Sequence, residues 1–288
     1  MTFKKKNLKR VVILGANSFI GKAIIKKFES HNIKPILITR KNVDLENKQS
    51  TNKLKKILKK DDTVIFIAAV APVKNIEMLN QNLTICKNIV ESLKIKKPNH
   101  IIYVSSDAVY SDSKNRINEK SETTPESFHG FMHLIRENML KELNCVKTFV
   151  RPTLVFGSDD PHNGYGPNKF IRCAQNNKDI ILFGKGEEKR DHIHVDNVAE
   201  VISTVAIKKI GGIINAVSGN VISFNEITKN LKKVYPTLII KNSKRKGPMP
   251  HNGYRAFDNK LLRKYFPKLH LIKLSDWITK KDKFKKII

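Results

Sequence analysis

Short apolar runs alternate with longer amphipathic stretches in the first half of the 288-residue chain, and this alternation constrains the fold more than any other feature. The runs are unbroken and β-branched, as expected of strands buried on both faces of a parallel sheet. They are Arg10–Leu14, Ile36–Ile38, Thr63–Ile67, His100–Ser105 and Val146–Val150. The helices predicted between them are Ile20–Glu29, Leu54–Lys60, Ile76–Leu93 and Gly130–Leu143. This pattern predicts a doubly wound α/β sheet.

A glycine-rich turn over residues 15–21 joins the first predicted strand directly to the first predicted helix. A tight turn from strand to helix needs a residue without a Cβ, and the helix N-terminus offers N–H groups and a positive dipole end to a pyrophosphate. The spacing is GxxGxxG, with Ser18 at the middle glycine position. In this context it predicts a Rossmann-type dinucleotide site, with an ordinary βα turn as the alternative. The candidate cofactor contacts here are Gly15, Asn17, Ser18, Phe19, Ile20 and Gly21.

The sequence changes character after Arg151 and Pro152, because Gly and Pro cluster at 157–167 and 184–186 and the predicted elements become short. We interpret this region as a smaller C-terminal substrate lobe built from insertions after the main sheet. The predicted boundaries are 1–156 for the Rossmann-type domain, with return segments at about 190–218, and 157–189 and 219–288 for the lobe. One return segment, Gly212–Val217, is predicted to add a strand to the sheet.

The net charge of +29 and the pI of about 10 raise the question of nucleic-acid binding. The excess consists mainly of lysine pairs on predicted exposed helix faces, and only the tail from Lys280 to Lys286 is dense. Base stacking needs aromatic residues interleaved with the charge, and aromatic residues make up 7% of the chain. We therefore expect weak polyanion attraction and no specific nucleic-acid partner.

The sequence predicts a cytoplasmic protein without a membrane span. The longest apolar run, Val64–Ala71, is far shorter than the roughly 20 residues that a span needs, and residues 4–6 precede no signal-peptide core. Cys86, Cys145 and Cys173 are far apart, which argues against disulfides and a cysteine-rich zinc site.

The end of the second predicted strand bears on cofactor choice. NAD-specific sites usually carry Asp or Glu here, about 20 residues after the glycine turn, to bind the ribose hydroxyls. This chain has Thr39 and then Arg40, and a cation suits a 2′-phosphate, so NADP is slightly favoured over NAD. The alternative is that Arg40 is a plain surface charge. Asp44 and Leu45 are further cofactor candidates, because Asp44 could still reach the ribose or adenine.

Further motifs occur in a fixed order along nearly the whole chain, at Val64–Ala69, Asn82, Tyr103–Tyr110, Val150–Gly157 and Arg190–Val198. Together with the glycine turn they resemble the extended short-chain dehydrogenase/reductase family, the NAD(P)-dependent epimerases, dehydratases and reductases of nucleotide sugars. The resemblance implies that Ala68, Ala69, Asn82, Ser105 and Pro152 lie near the cofactor.

The same resemblance implies a nucleotide-sugar substrate. Arg190 and Arg255 would bind its diphosphate, and Asn168 lies in a loop expected over the substrate cleft. The predicted helices Ile76–Leu93 and Gly130–Leu143 resemble those that form four-helix interfaces in the family, which implies a homodimer.

The family's catalytic Tyr-x-x-x-Lys pair is missing, because His129 stands at the tyrosine position and His133 at the lysine position. Three interpretations follow. His129 replaces the tyrosine as acid/base, since an imidazole with a pKa near 6.5 exchanges protons at neutral pH, while His133 hydrogen-bonds the ribose. Alternatively the chain binds cofactor or nucleotide sugar without turnover. Lastly, the two histidines ligate a metal, which would need a further ligand. We favour the first interpretation and expect no metal.

Ser106 takes the position of the family's catalytic Ser or Thr, with a serine satisfied by backbone as the alternative. Asp107 follows where the sugar dehydratases carry a general acid, but their second carboxylate is replaced by Ala108. Reduction or epimerisation is therefore favoured over 4,6-dehydration, and a turn cap is the alternative role of Asp107. The predicted function is hydride transfer on a nucleotide-activated sugar, and a catalytically impaired binding protein is its rival.

Overall fold

The computed structural model describes Leu8 and residues 10–279. The basic residues 4–6 and the lysine-dense tail 280–286 lie outside the described residues. The strands are β1 (Arg10–Leu14), β2 (Ile36–Ile38), β3 (Asp62–Phe66), β4 (His100–Val104), β5 (Val146–Pro152), β6 (Leu154–Phe156), β7 (Ile180–Phe183), β8 (Lys189–His194), β9 (Gly212–Ala216), β10 (Val221–Ser223), β11 (Ile240–Ser243) and β12 (Tyr254–Arg255). The α-helices are α1 (Phe19–Ser30), α2 (Thr51–Ile57), α3 (Ile76–Lys96), α4 (Phe128–Lys141), α5 (Pro167–Gln175), α6 (Val195–Lys208), α7 (Phe224–Val234), α8 (Lys260–Tyr265) and α9 (Leu274–Thr279).

The described chain divides into two compact units. The first unit comprises the described residues up to Ser111 together with Glu119–Pro152 and Val198–Asn215, and the second comprises Asp112–Asn118, Thr153–Asn197 and the described residues from Ala216 onward. Residues 112–118, 153–156, 190–197 and 216–218, which the predicted boundaries assign to the Rossmann-type domain, lie in the second unit.

The first unit is built on a six-stranded sheet in the order β2-β1-β3-β4-β5-β9. Neighbouring strands from β2 to β5 pair in parallel, so the predicted doubly wound α/β class is confirmed. Strands β1 and β2 have the predicted bounds, and the other predicted strands end within two residues of their predicted limits. Burial of every residue in β3 and β4, and of every residue in β1 after Arg10, explains why unbroken apolar runs identify these strands.

The helix predicted at Leu54–Lys60 lies three residues earlier, because the chain leaves the helix at Leu58. The side chain of Asp62 accepts a hydrogen bond from the Lys59 amide at 2.7 Å, which holds Lys59 in the turn that leads into β3. Local bonding from an aspartate thus ends a helix that the apolar pattern would have continued.

One face of the sheet packs against α2, α3 and α4. Alternate residues of each strand face this way, as the period-2 geometry of a strand requires, and they include Val64 and Phe66 of β3 and Ile101 and Tyr103 of β4. Helix α4 contributes Leu140 to the same core. Tyr103 therefore carries a polar hydroxyl into an apolar layer, where that hydroxyl needs a hydrogen-bond partner.

The second unit contains two small sheets. In one, β8 lies between β10 and β12 and also pairs with β6; in the other, β7 pairs with β11. Its apolar core includes Phe156, Phe170, Phe224 and Trp277. Helix α7 begins with a capping box in which Ser223 and Glu226 each accept from the other's backbone amide. In the part of the chain that the structure describes, no helix is long and apolar enough to cross a membrane.

Candidate cofactor and catalytic site

The glycine turn follows β1 and leads into α1, in the first unit. Gly15 has a φ of +96°, and a Cβ there would lie 2.7 Å from the Ala68 amide nitrogen, so no larger residue fits. A Cβ on Gly21 would lie 2.6 Å from the Gly15 carbonyl oxygen. Between these two constraints, residues 17–20 are at least partly exposed at the N-terminus of α1. The cradle fits a pyrophosphate at that terminus.

Ser18 occupies the middle glycine position without strain, because its φ is −68°. Its Oγ accepts from the Gly21 amide at 3.1 Å and donates to the Gly15 carbonyl at 2.8 Å. A serine at this place therefore caps α1 and closes the turn on itself. The departure from three glycines leaves the backbone of the site intact.

Asn82 and Arg136 fix the loop after β3, which contains the predicted cofactor contacts Ala68 and Ala69. Asn82 is fully buried, and its amide exchanges hydrogen bonds with the Val70 backbone at 3.0 and 2.9 Å. Arg136 of α4 donates to the Ala68 carbonyl at 3.0 Å and to Asn82 Oδ1 at 2.8 Å. Asn82 thus holds this loop in place, and its part in cofactor binding stays a prediction.

The segment after β2 places Arg40 in solvent, with 68% of its side chain exposed and its guanidinium 3.7 Å from Glu46. Gln81 of α3 also binds Glu46, at 2.7 Å. Leu45 is buried and its carbonyl accepts from Asn88 at 3.0 Å. The Thr39 amide donates to the Asn42 side chain at 2.7 Å. The Asp44 carboxylate accepts from the Glu46 amide at 3.1 Å. Both are local turn bonds. Sequence reasoning missed Glu46, which partly offsets the Arg40 charge.

Ser106 and Asp107 lie against the first turn of α4, which carries His129. A Cβ on Gly130 would lie 2.1 Å from the Ala108 carbonyl oxygen, so α4 touches the short 3-10 turn Asp107–Val109. Ser106 caps that turn: its Oγ accepts from the Ala108 amide at 3.1 Å and lies 3.4 Å from Asp107 Oδ1. The structure thus brings together the predicted catalytic segments, with Ser106, Asp107 and His129 all partly exposed.

His133 differs from His129 in its surroundings. It is 6% exposed, its Nδ1 lies 2.8 Å from the Tyr103 hydroxyl, and its ring meets the His129 ring edge-on with centroids 4.7 Å apart. Burial, with help from the nearby His129 and Arg136, holds the pKa of His133 well below its ordinary value, so the ring is neutral at pH 7. The lysine position of the family thus carries no positive charge here.

A buried ion pair links α4 to β5, and Ser105, directly after β4, joins it. Arg151 binds Glu137 through two hydrogen bonds of 2.9 and 2.6 Å, and Ser105 donates to the same carboxylate at 2.6 Å. The Arg151 guanidinium also stacks on Tyr110, 4.7 Å from the ring centroid. Ser105 therefore serves this network, while Pro152 ends β5 as a buried residue; their cofactor contacts stay predictions.

The predicted substrate residues belong to the second unit, where internal carboxylates already hold both arginines. Arg190 binds Glu188 and donates to the Pro250 carbonyl at 2.6 Å. Arg255, which is 3% exposed, binds Asp112 at 2.9 Å. Asn168 accepts from the Gly157 amide at 3.3 Å and donates to the Asp160 carboxylate. Sequence reasoning missed these acidic partners, because they lie far away in the sequence or carry no motif.

Burial also shifts the pKa values of two ionisable side chains of β8, Asp191 and His192. Burial raises the pKa of Asp191 to about 6, although the amides and hydroxyls of Ser218, Gly219 and Thr153 bind it. Burial lowers the pKa of His192 to about 4, so that this ring is neutral.

Within residues 10–279, no group of three or more His, Cys, Asp or Glu side chains is placed to hold a metal ion.

The sequence of this chain is similar to those of known nucleotide-sugar enzymes. A family model described as the NAD dependent epimerase/dehydratase family matches residues 11–216. A dTDP-D-glucose 4,6-dehydratase of Dictyostelium discoideum is 27% identical over 60% of this chain, but the match spans only 44% of that protein. An ADP-L-glycero-D-manno-heptose-6-epimerase of Brachyspira hyodysenteriae is 24% identical over 80% of this chain and 82% of its own length.

Among solved structures, a UDP-glucose 4-epimerase of Thermus thermophilus in complex with NAD superposes with a TM-score of 0.83. It shares 18% identity and covers 97% of this chain and 100% of its own. At that identity the likeness establishes the fold alone.

Proposed function

The chain belongs to the NAD dependent epimerase/dehydratase family, and on that premise we propose that it is an NAD(P)-dependent enzyme that epimerises or reduces a nucleotide-activated sugar. Ser106 and His129 would be its acid/base pair. The observation that carries the proposal is the contact between Gly130 and Ala108, which sets the first turn of α4 beside the turn that Ser106 caps.

The cofactor would be held by the N-terminus of α1, the loop at Ala68 and Ala69, and the segment after β2. The close approach of Gly15 to Ala68 supports this assignment, because it leaves the helix N-terminus open to a pyrophosphate. Arg40 supports a preference for NADP, since its exposed guanidinium suits a 2′-phosphate. When bound, the nicotinamide supplies or accepts the hydride.

Ser106 would donate a hydrogen bond to the reacting oxygen of the sugar. Its Oγ already accepts from the Ala108 amide, while the contact to Asp107 is long at 3.4 Å. The hydroxyl donates to Asp107 only through this long bond, so a ligand oxygen at a shorter distance would take the proton over. Asp107 starts the 3-10 turn and holds the hydroxyl until then.

His129 would move the proton to or from the same oxygen. An imidazole needs no special tuning to exchange protons near neutral pH, whereas a tyrosine relies on a neighbouring cation to lower its pKa. Because His133 is neutral, no such cation stands one turn along α4. The replacement of tyrosine by histidine at 129 is thus chemically consistent with the loss of lysine at 133.

The substrate diphosphate would be bound by Arg190 and Arg255, with Asn168 contributing from its loop. Glu188 and Asp112 hold the two guanidinium groups in fixed positions, and a diphosphate would have to share or replace these contacts.

The exposed apolar side chains Phe128, Phe131 and Ile135 on α4 support the proposed homodimer.

A second candidate, a catalytically impaired binding protein, is favoured by the same neutral His133. A protein in which His129 does not take over the proton transfer of the family's tyrosine could still bind the cofactor and a nucleotide sugar. Function depends on the site and not on the fold, so turnover decides between the two.

The test has two stages. Thermal-shift titration with NAD and with NADP is expected to stabilise the protein in a concentration-dependent way. UDP-sugar and dTDP-sugar probes are then followed by NMR, where His129→Ala is expected to reduce turnover at least 100-fold with little change in cofactor affinity. His31→Ala, at the C-terminal end of α1, is the control. Cofactor binding with equal turnover in wild type and His129→Ala contradicts the assigned role, and no binding of either nucleotide contradicts the proposal as a whole.

A further inference from the structure

Tyr103 lies behind the site, on the sheet face that packs against α4. It is 1% exposed, and its hydroxyl is 2.8 Å from His133 Nδ1. Burial raises the pKa of Tyr103 above its ordinary value, so the phenol stays protonated. A side chain that is buried and un-ionised cannot replace the family's tyrosine as acid/base, and any role of Tyr103 must act through another residue.

The direction of the hydrogen bond follows from the acceptors within reach of this hydroxyl. Among the described residues these are His133 Nδ1 at 2.8 Å and the Met132 sulfur at 3.9 Å, which is a weak acceptor. A phenol is a stronger acid than a neutral imidazole, so in the bond between the two rings the phenol gives the proton. Tyr103 therefore donates to His133.

The tautomer of His133 follows in turn. A neutral imidazole carries one proton, and the nitrogen that accepts a hydrogen bond cannot hold it. Because Nδ1 accepts from Tyr103, the proton resides on Nε2. His133 then offers an N–H donor, and the lysine position keeps its ability to donate a hydrogen bond although it has lost its charge.

We propose that Tyr103 is a positioning residue that fixes His133 in the Nε2–H tautomer and so presents a hydrogen-bond donor to the cofactor ribose. This inference rests on the proposed function, in which His133 contacts that ribose. Packing connects the arrangement to the loop after β3, because Phe66 contacts both the Tyr103 ring and the Arg136 guanidinium, and Arg136 binds the Ala68 carbonyl.

The test reads the tautomer directly, by long-range ¹H–¹⁵N correlation NMR on protein labelled with ¹⁵N-histidine. His133→Gln identifies the His133 signals by their loss. The wild-type spectrum is expected to show a protonated Nε2 and an unprotonated Nδ1. In Tyr103→Phe we expect a mixture of tautomers and a dissociation constant for NAD raised about three- to tenfold, the usual effect of one lost hydrogen bond.

Tyr110→Phe is the matched control, because it removes another buried phenol of the first unit, one that donates to Asn215 at 2.7 Å and not to a histidine. It is expected to leave the His133 signals unchanged. Protonation of His133 at Nδ1 in wild type overturns the inference without any variant, and so does an unchanged tautomer or an unchanged NAD affinity in Tyr103→Phe. If the wild type binds neither NAD nor NADP, the proposed function itself fails, which is a different result from a wrong tautomer in a protein that binds NAD.

Discussion

The glycine turn and helix α4 both depart from the family pattern, and the two departures differ in kind. In the turn, Ser18 replaces a glycine at a φ of −68°, and its hydroxyl caps α1. In α4, His129 and His133 replace a tyrosine and a lysine, which changes the charge of the site and the groups in it that can donate or accept a proton. Backbone geometry decides whether the first substitution is harmless, and side-chain partners decide what the second one does.

The largest effect is expected where the turn's backbone is constrained. Gly15→Ala forces a Cβ to 2.7 Å from the Ala68 amide at a φ of +96°, and we expect it to lower the free energy of unfolding by about 3 kcal/mol or more. Ser18→Gly removes only a cap and is expected to cost a few tenths of a kcal/mol. Urea unfolding monitored by circular dichroism measures both. Similar losses in the two variants would contradict the distinction drawn between these positions.

The next effect is the dependence of the unfolding free energy on pH, which buried histidines cause and the glycine turn does not. Burial lowers the pKa of His100, in β4, to about 4, and that of His133 well below its ordinary value, whereas the turn 15–21 has no titratable side chain. Between pH 6.5 and 4 the unfolded chain binds protons that the folded histidines do not, so the unfolding free energy falls as the pH falls. Each such histidine accounts for up to about 3 kcal/mol at the acidic end.

Urea unfolding at pH 7, 5.5 and 4.5 checks this expectation. His100→Gln should flatten the decline, and Ser18→Gly should leave its slope unchanged. In the second unit His192 acts in the same direction, while Asp191 acts in the opposite one: its pKa is raised to about 6, so its contribution to stability is lost as the pH rises from 4 to 6. A stability that rises on acidification from pH 6.5 would refute the neutral state of the buried histidines.

The smallest effect concerns cofactor choice at the edge of the turn. Arg40→Glu is expected to weaken NADP binding about tenfold and to change NAD binding much less, because only NADP carries the 2′-phosphate. Lys41→Glu, an exposed neighbour with the same change of charge, is the control. Thermal-shift titrations give both affinities. Equal weakening by the two variants would mean that Arg40 acts through general electrostatics and leaves the preference for NADP without a basis.

The sequence was sufficient for the parts of the fold that repeat a simple pattern. The α/β class and the family resemblance are confirmed, since unbroken β-branched runs and ordered motifs carry that information. The sequence predicted only that the elements of this region are short, and it gave no bounds for strands such as β7 and β11, which are short and partly exposed. Short, half-exposed strands lack the apolar runs on which such predictions depend.

The candidate site was only partly predictable for a related reason. Ser106 and His129 carry motif positions, so sequence comparison finds them. Tyr103 and Arg136 lie within apolar patterns and read as core residues, and their polar ends gain meaning only when strand, helix and loop meet. Glu188 and Asp112 show their effect only through the arginines that they bind.

The hydrogen bonds by which Asn82 and Arg136 hold the loop after β3 affect how a ligand would bind there. The loop after β3 is bound by side chains from two different helices, α3 and α4, so it cannot open without breaking hydrogen bonds in both. Such a segment exchanges its amide hydrogens only when the packing of those helices gives way. If this loop forms the floor of the proposed cofactor site, that floor is held in place before any nucleotide binds, and association has little ordering entropy to overcome there.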